Sequence, residues 1–148
     1  MGSRLLAVIA FGLLYAAAPL PALAISGSDE ISLIEVEEHI LDGDYQESLN
    51  LLINYVQGSP EAPEGYNLMG YSFRKLGHFK QAQRAYNRAL QLDQNHIGAN
   101  EYLGELYLQT DRLPEAEAQL EIVRLLCGDE DCTAYTVLAE SVAEFKAK

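Results

Sequence analysis

The sequence predicts an all-α chain built by stacking helix-turn-helix units, and three observations predict it. Small and aromatic residues stand at fixed offsets in Gly70, Phe73, Gly77, Phe79, Ala82, Tyr86 and Ala89. Moving that set by about 34 residues in either direction meets residues of matching size at most of its offsets. Between them, apolar side chains recur every three to four residues, the spacing of one helix face. A unit of this length cannot bury its own apolar stripe, so it has to stack on copies of itself.

The chain begins with a targeting segment. Residues 1–24 carry a single charge, Arg4, followed by an apolar run from Leu5 to Leu14. Pro19 and Pro21 then break any helix, and Ala22-Leu23-Ala24 is a small-x-small cleavage pattern. That order is the order of a secretory signal peptide. The other reading is an uncleaved membrane anchor, but the run is short for a span and interrupted by proline near its end. Cleavage is the expectation, and with no cysteine beside the site a lipid-anchored lipoprotein is excluded. Residues 25–28 form a short leader.

Three units follow, at 29–62, 63–96 and 97–131, and a last helix spans 132–148. The middle unit is the clearest, with Tyr66, Met69, Gly70, Phe73, Gly77, Phe79, Ala82, Tyr86 and Ala89 all in place and only Gln94 standing where proline usually ends a unit. The third unit gives Leu103, Gly104, Tyr107, Leu113, Ala116, Leu120 and Val123 at equivalent places, while Asn100 and Asp111 depart from the pattern. The first gives Gly43, Tyr45, Ser48, Leu52, Tyr55 and Pro60, but its first helix is degenerate, with Glu35, Val36 and His39 at the key positions. A weak terminal unit suits a solenoid end, where one face has no neighbour. Tyr135, Leu138, Ala139 and Val142 repeat the offsets of a first helix with no second, which reads as a C-terminal cap.

These residues resemble the tetratricopeptide repeat (TPR) family, with nine spaced positions agreeing in the middle unit. The resemblance implies a right-handed TPR superhelix of three helix-turn-helix repeats plus a C-terminal capping helix. Packing explains the pattern: Gly70, Gly104, Ala82 and Ala116 let paired helices approach closely, and Gly43 and Gly77 suit left-handed helix ends. Tyr45, Tyr86 and Tyr107 read as structural filler.

Charge and cysteines bound the function. Without the first 24 residues the chain has nine basic against twenty-two acidic side chains, a net charge of −13. Such a surface repels nucleic acid and anionic lipid headgroups. The charge is uneven: −9 in the first unit, +3 in the second, −7 in the third and zero in the cap. Lys80, Arg84 and Arg88 form a basic stripe at helical spacing, read either as a solvated outer face or as one pole of a bipolar surface.

Cys127 and Cys132 are the only cysteines, and export exposes them to oxidising conditions. The segment from Leu125 to Tyr135 looks like a tail of exported bacterial TPR proteins, in which two close cysteines precede the cap. A disulfide clasp is one reading. A thiol-redox or metal-responsive site is the other, opposed by Asp129, Glu130 and Asp131, which would raise the thiol pKa values.

Catalysis finds little support. His39, His78 and His96 occupy unrelated positions, with His78 and His96 expected in solvent, and no phosphate loop or nucleophile elbow appears. No cofactor or metal is expected. In TPR solenoids the first helices line a concave groove, which implies groove positions for Glu37, Asn67, Tyr71, Arg74, Lys75, Glu101 and Glu105. Domains that clamp a C-terminal carboxylate carry Lys and Asn where this chain has Leu33 and Glu37. The expectation is a non-enzymatic interaction module in the bacterial cell envelope, exported across the inner membrane to the periplasm. It binds a segment of another protein, with no membrane contact after cleavage and with weak self-association through an exposed solenoid end as a further possibility.

Overall fold

A computed structural model describes residues 32–128 and 132–148. The expected signal peptide, the leader, the first residues of the first unit and residues 129–131 between the cysteines lie outside the described residues. The rest folds into seven helices: α1 (Leu33–Asp42), α2 (Tyr45–Gly58), α3 (Pro63–Lys75), α4 (Phe79–Leu92), α5 (Ile97–Gln109), α6 (Leu113–Cys127) and α7 (Thr133–Lys146). Each helix packs on the next, and α7 packs on both α5 and α6. This is the all-α superhelical repeat the sequence predicts. None of these helices is long and apolar enough to cross a membrane.

The turn inside each pair is built the same way three times. Gly43, Gly77 and Asp111 hold φ values of 81°, 76° and 57°. The next residue then donates its backbone N–H to the helix behind it: Asp44 to the His39 carbonyl, His78 to Phe73 and Arg112 to Tyr107, each at 2.8 Å. One left-handed residue thus satisfies a carbonyl that the helix end would otherwise leave open. Asp111 departs from the glycine pattern in type but adopts the same conformation, which aspartate tolerates better than most side chains.

Interior packing follows the repeat. Ser48, Ala82 and Ala116 are fully buried where α2, α4 and α6 meet their partners. A Cβ on Gly70 would lie 2.4 Å from Tyr86 Cε1, and one on Gly104 would lie 2.7 Å from Leu138 Cδ2. Glycine at these points is therefore set by a neighbour's side chain. The first unit, which has Val36 where the others have glycine, buries it against Leu52 and Leu68. Ser48 and Ser72 share a buried hydrogen bond of 2.8 Å that ties α2 to α3.

The departures at the second turn between units have a compensation. Gln94 stands where proline would fix the exit from α4, and Asn100 stands where a large residue would pack. The Asn100 side-chain amide donates to the carbonyls of Gln94 (3.2 Å) and His96 (3.0 Å), holding that connection by hydrogen bonds instead.

The cap is fastened at both ends. A disulfide joins Cys127 at the end of α6 to Cys132 at the N-cap of α7. Near the other end, Lys146 pairs with Glu117 on α6. Between them, Leu138 and Val142 bury against Leu108, Ala116 and Val123.

Candidate functional site

The first helices of the pairs, α1, α3, α5 and the cap helix α7, border two chambers. The first has a volume of about 370 Å³ and is bordered by Glu37, Ile40 and Leu41 from α1. Glu64, Asn67, Leu68 and Tyr71 from α3 and Tyr102 from α5 complete it. The second, about 380 Å³, lies between Glu105, Leu108, Gln109 and Asp111 on one side and Ser141, Glu144, Phe145 and Lys148 on the other.

Of the residues expected in the groove, Glu37, Asn67 and Tyr71 border the first chamber and Glu105 the second. Arg74, Lys75 and Glu101 cluster around the tyrosines between them. Arg74 is only 8% exposed, with its guanidinium carbon 5.4 Å from the Tyr71 ring centre and 5.7 Å from that of Tyr102. Among the described residues its Nε has no hydrogen-bond partner. Lys75 is exposed and brings Nζ to 5.2 Å from the other contact of Arg74, the Tyr71 ring. Such cation–π contacts hold a charge against an aromatic face without neutralising it.

The rings form a ladder across three units. Tyr71 meets Tyr45 at 6.2 Å and Tyr102 at 5.0 Å, and Tyr102 meets Tyr86 at 6.3 Å. Tyr86 is fully buried and Tyr107 packs against two core clusters, as the filler expectation has it, whereas Tyr45 is a half-buried ring against Tyr71. Burial raises the Tyr86 phenol pKa strongly, and the nearby Arg74 charge opposes that shift. Among the described residues no well-formed hydrogen bond reaches the Tyr86 hydroxyl, so the arginine acts on it chiefly through its field.

Glu101 is half-buried, and its pKa is pushed up to about 7, first by burial and then by the Glu105 charge, with Arg74 pulling the other way. Glu105 Oε1 is buried without a hydrogen-bond partner among the described residues. At the opposite edge, Glu64 and His96 form a 2.8 Å contact between α3 and the start of α5. That partner holds the Glu64 carboxyl below, and the His96 imidazole above, their ordinary values. When neutral, His96 also accepts the Ala99 backbone N–H through Nδ1, capping α5. The expectation of a solvated His96 is thus corrected: it is a half-buried joint between repeats. His78 is exposed, as expected.

Sequence reasoning missed Tyr102. It stands at a place to which the repeat pattern gives no weight, beside the expected Glu101, and its role depends on how α5 sits against α3. A partial signal exists in Gly98, one turn earlier, whose missing side chain leaves room for Asn67: a Cβ there would lie 3.3 Å from Asn67 Nδ2. On the outer side, Lys80 and Arg84 are exposed, while Arg88 lies 3.5 Å from Glu61 and 5.6 Å from the Tyr66 ring. Among the described residues no three His, Cys, Asp or Glu side chains converge as metal ligands.

Residues 63–96 match the family model described as Tetratricopeptide repeat. Solved structures of similar fold include the TPR2B domain of yeast Sti1 in its pHsp70 complex, 17% identical with a TM-score of 0.72 over 80% of this chain and 95% of that one. The Yersinia enterocolitica type III secretion translocator chaperone SycD is 17% identical, with a TM-score of 0.73 over 81% of this chain and 94% of that one. PcrH in complex with the chaperone binding region of PopD is 18% identical, with a TM-score of 0.66 over 80% and 88%. A comparison with curated proteins finds no matching sequence. At these identities the likeness is one of fold.

Proposed function

We propose that this chain is a non-enzymatic scaffold or adaptor of the bacterial cell envelope, exported to the periplasm, whose concave groove receives a segment of another protein. The observation that carries this reading is the first chamber, where residues from three successive first helices meet around Tyr71 and Tyr102. Its apolar floor of Leu68, Ile40 and the two rings, rimmed by Glu37, Glu64 and Asn67, suits a side chain and its flanking backbone. The similar structures in complex with pHsp70 or with a chaperone binding region favour a segment of another protein as ligand by analogy of fold. The apolar run at 5–14 and the Ala22-Leu23-Ala24 pattern favour export.

A photo-crosslinking residue placed at Tyr71, and separately at the exposed Asn87 on α4, tests the groove in the native envelope. The expected result is a discrete crosslinked protein from the Tyr71 position and none from Asn87. Equal crosslinking from both positions overturns the groove reading. The mass of the exported chain, matching residues 25–148 or the full length, tests the signal peptide directly.

A further inference from the structure

The charge of the groove and its unused acceptors restrict what can lie in it, given the groove reading above. Glu37 and Glu64 rim the first chamber, and Glu105, Asp111 and Glu144 the second. The opposing cations are fewer. His96 pairs with Glu64 at 2.8 Å, Arg74 is enclosed by Tyr71 and Tyr102, Lys75 sits over the Tyr71 ring, and Lys148 borders the second chamber. A segment reaching the second chamber therefore meets a predominantly negative field, which steers cations inward and repels carboxylates.

Hydrogen bonding points the same way through separate atoms. Asn67 is 4% exposed, spends its amide N–H on Glu64 at 3.1 Å, and among the described residues finds no donor for its buried Oδ1. Glu105 Oε1 is buried without a donor as well. Buried acceptors lacking donors are costly. Both atoms lie just below the accessible surface, so a turn of the side chain must expose them; a ligand N–H group then recovers that cost, and a ligand carboxylate cannot.

We propose that the groove selects a basic segment, one that pairs an apolar or aromatic side chain with a lysine or arginine. The apolar side chain lies on Leu68 between Ile40 and Tyr71, and a backbone N–H of the segment donates to Asn67 Oδ1. The cation enters the second chamber, where Glu105 and Glu144 face it and Phe145 covers its methylene stem. The rival is an acidic segment drawn to Arg74 and Lys75. Enclosure of Arg74 between two rings, with Glu101 beside it, disfavours that rival.

A random peptide library displayed on phage and selected on the folded protein decides between them. The enriched peptides are then synthesised and their affinities measured for the wild type, Tyr71→Ala, Glu144→Lys and Glu105→Lys/Glu144→Lys. Glu144 is exposed on α7, so its reversal leaves the fold intact, which circular dichroism checks. The expected peptides carry Lys or Arg beside an aliphatic or aromatic residue. Glu144→Lys should weaken them about fivefold and the double reversal more than tenfold, with affinity gained when the peptide's lysine is changed to glutamate. Acidic peptides, or basic ones that ignore both reversals yet depend on Tyr71, overturn the basic-segment inference and leave the groove standing. Indifference to all the variants, or no enrichment above background, overturns the groove reading itself.

Discussion

Tyr86 lies across the face of Gly70, so that a Cβ at that glycine would stand 2.4 Å from Tyr86 Cε1 and 2.5 Å from Cδ1. The pairing of a missing side chain with a large one is resolved differently in each unit. Val36 faces the smaller Leu52 in the first, and Gly104 accepts Leu138 of the cap in the third. Gly70→Ala should destabilise the fold by about 1–3 kcal/mol through overpacking. Combining it with Tyr86→Leu, the residue type found at 52, should recover part of that loss. Urea denaturation of the two single variants and the double one gives the coupling; simple additivity would sink the explanation.

The turns offer a gain. Asp111 holds a left-handed conformation that glycine fills at 43 and 77. Relief of that strain favours Asp111→Gly by about 1–2 kcal/mol at most, and the added freedom of the unfolded chain takes back about 0.4–1 kcal/mol. Asp111→Gly should therefore raise stability by roughly 0.5 kcal/mol. Asp111→Val, which cannot adopt this conformation cheaply, should lower it, and thermal melts of the two variants compare them directly.

Those turns also show which parts of the fold can be read from sequence. One left-handed residue fixes each hairpin, so Gly43 and Gly77 announce their turns, and Asp111 is placed by the period alone. The same local logic located Gly70 and Ala82, whose roles are settled by helices close in the chain. What stayed hidden depends on how units rotate against each other. Glu64 and His96 are 32 residues apart and meet only because α5 stacks on α3. Tyr102 belongs to no repeat position, yet it closes the first chamber against Tyr71. Arg74 reads as a groove cation but is enclosed, because rings from two different units cover it.

Reduction tests the cap. The Cys127–Cys132 bridge closes a loop with only four residues between its cysteines, worth about 2 kcal/mol in the chain-entropy account. Cys127→Ser/Cys132→Ser should lose about that much. Hydrogen exchange should quicken in α7 first, since Lys146–Glu117 and the Leu138 contacts are then its main fastenings. If peptide binding instead changes on reduction while exchange in α7 does not, the cysteines act as a redox site and not as a clasp.

The Glu64–His96 joint gives stability a defined pH window. His96 has a raised pKa, so its contribution is complete below the ordinary imidazole value of 6.5 and is lost as pH rises through the folded value. Glu64 has a lowered pKa, so its contribution is complete above 4.5 and is lost as pH falls through the folded value. The wild type should exceed Glu64→Gln in melting temperature most clearly between those limits, with the gap narrowing on both sides. A gap that stays constant from pH 4 to pH 9 would show that the contact contributes no charge interaction.

Glu101 behaves in the opposite sense and is accessible to direct measurement. Its pKa of about 7 comes first from burial and then from Glu105 on its own helix, while Arg74 on α3 holds it down. Side-chain carbon chemical shifts should titrate near neutrality. Glu105→Gln should lower the midpoint only in part, because burial remains; Arg74→Met should raise it further. The protonated form is the one the fold favours, so the contribution of Glu101 to stability is complete below the ordinary carboxyl value of 4.5 and declines as pH rises toward 7. The wild type should therefore lose stability relative to Glu101→Gln from pH 5 to pH 7, and the difference should stay constant above that. Where a basic peptide occupies the groove, its charge replaces the proton, and the Glu101 midpoint should fall on binding. An unmoved midpoint with saturating peptide would place the cation elsewhere than beside the Glu101–Glu105 pair.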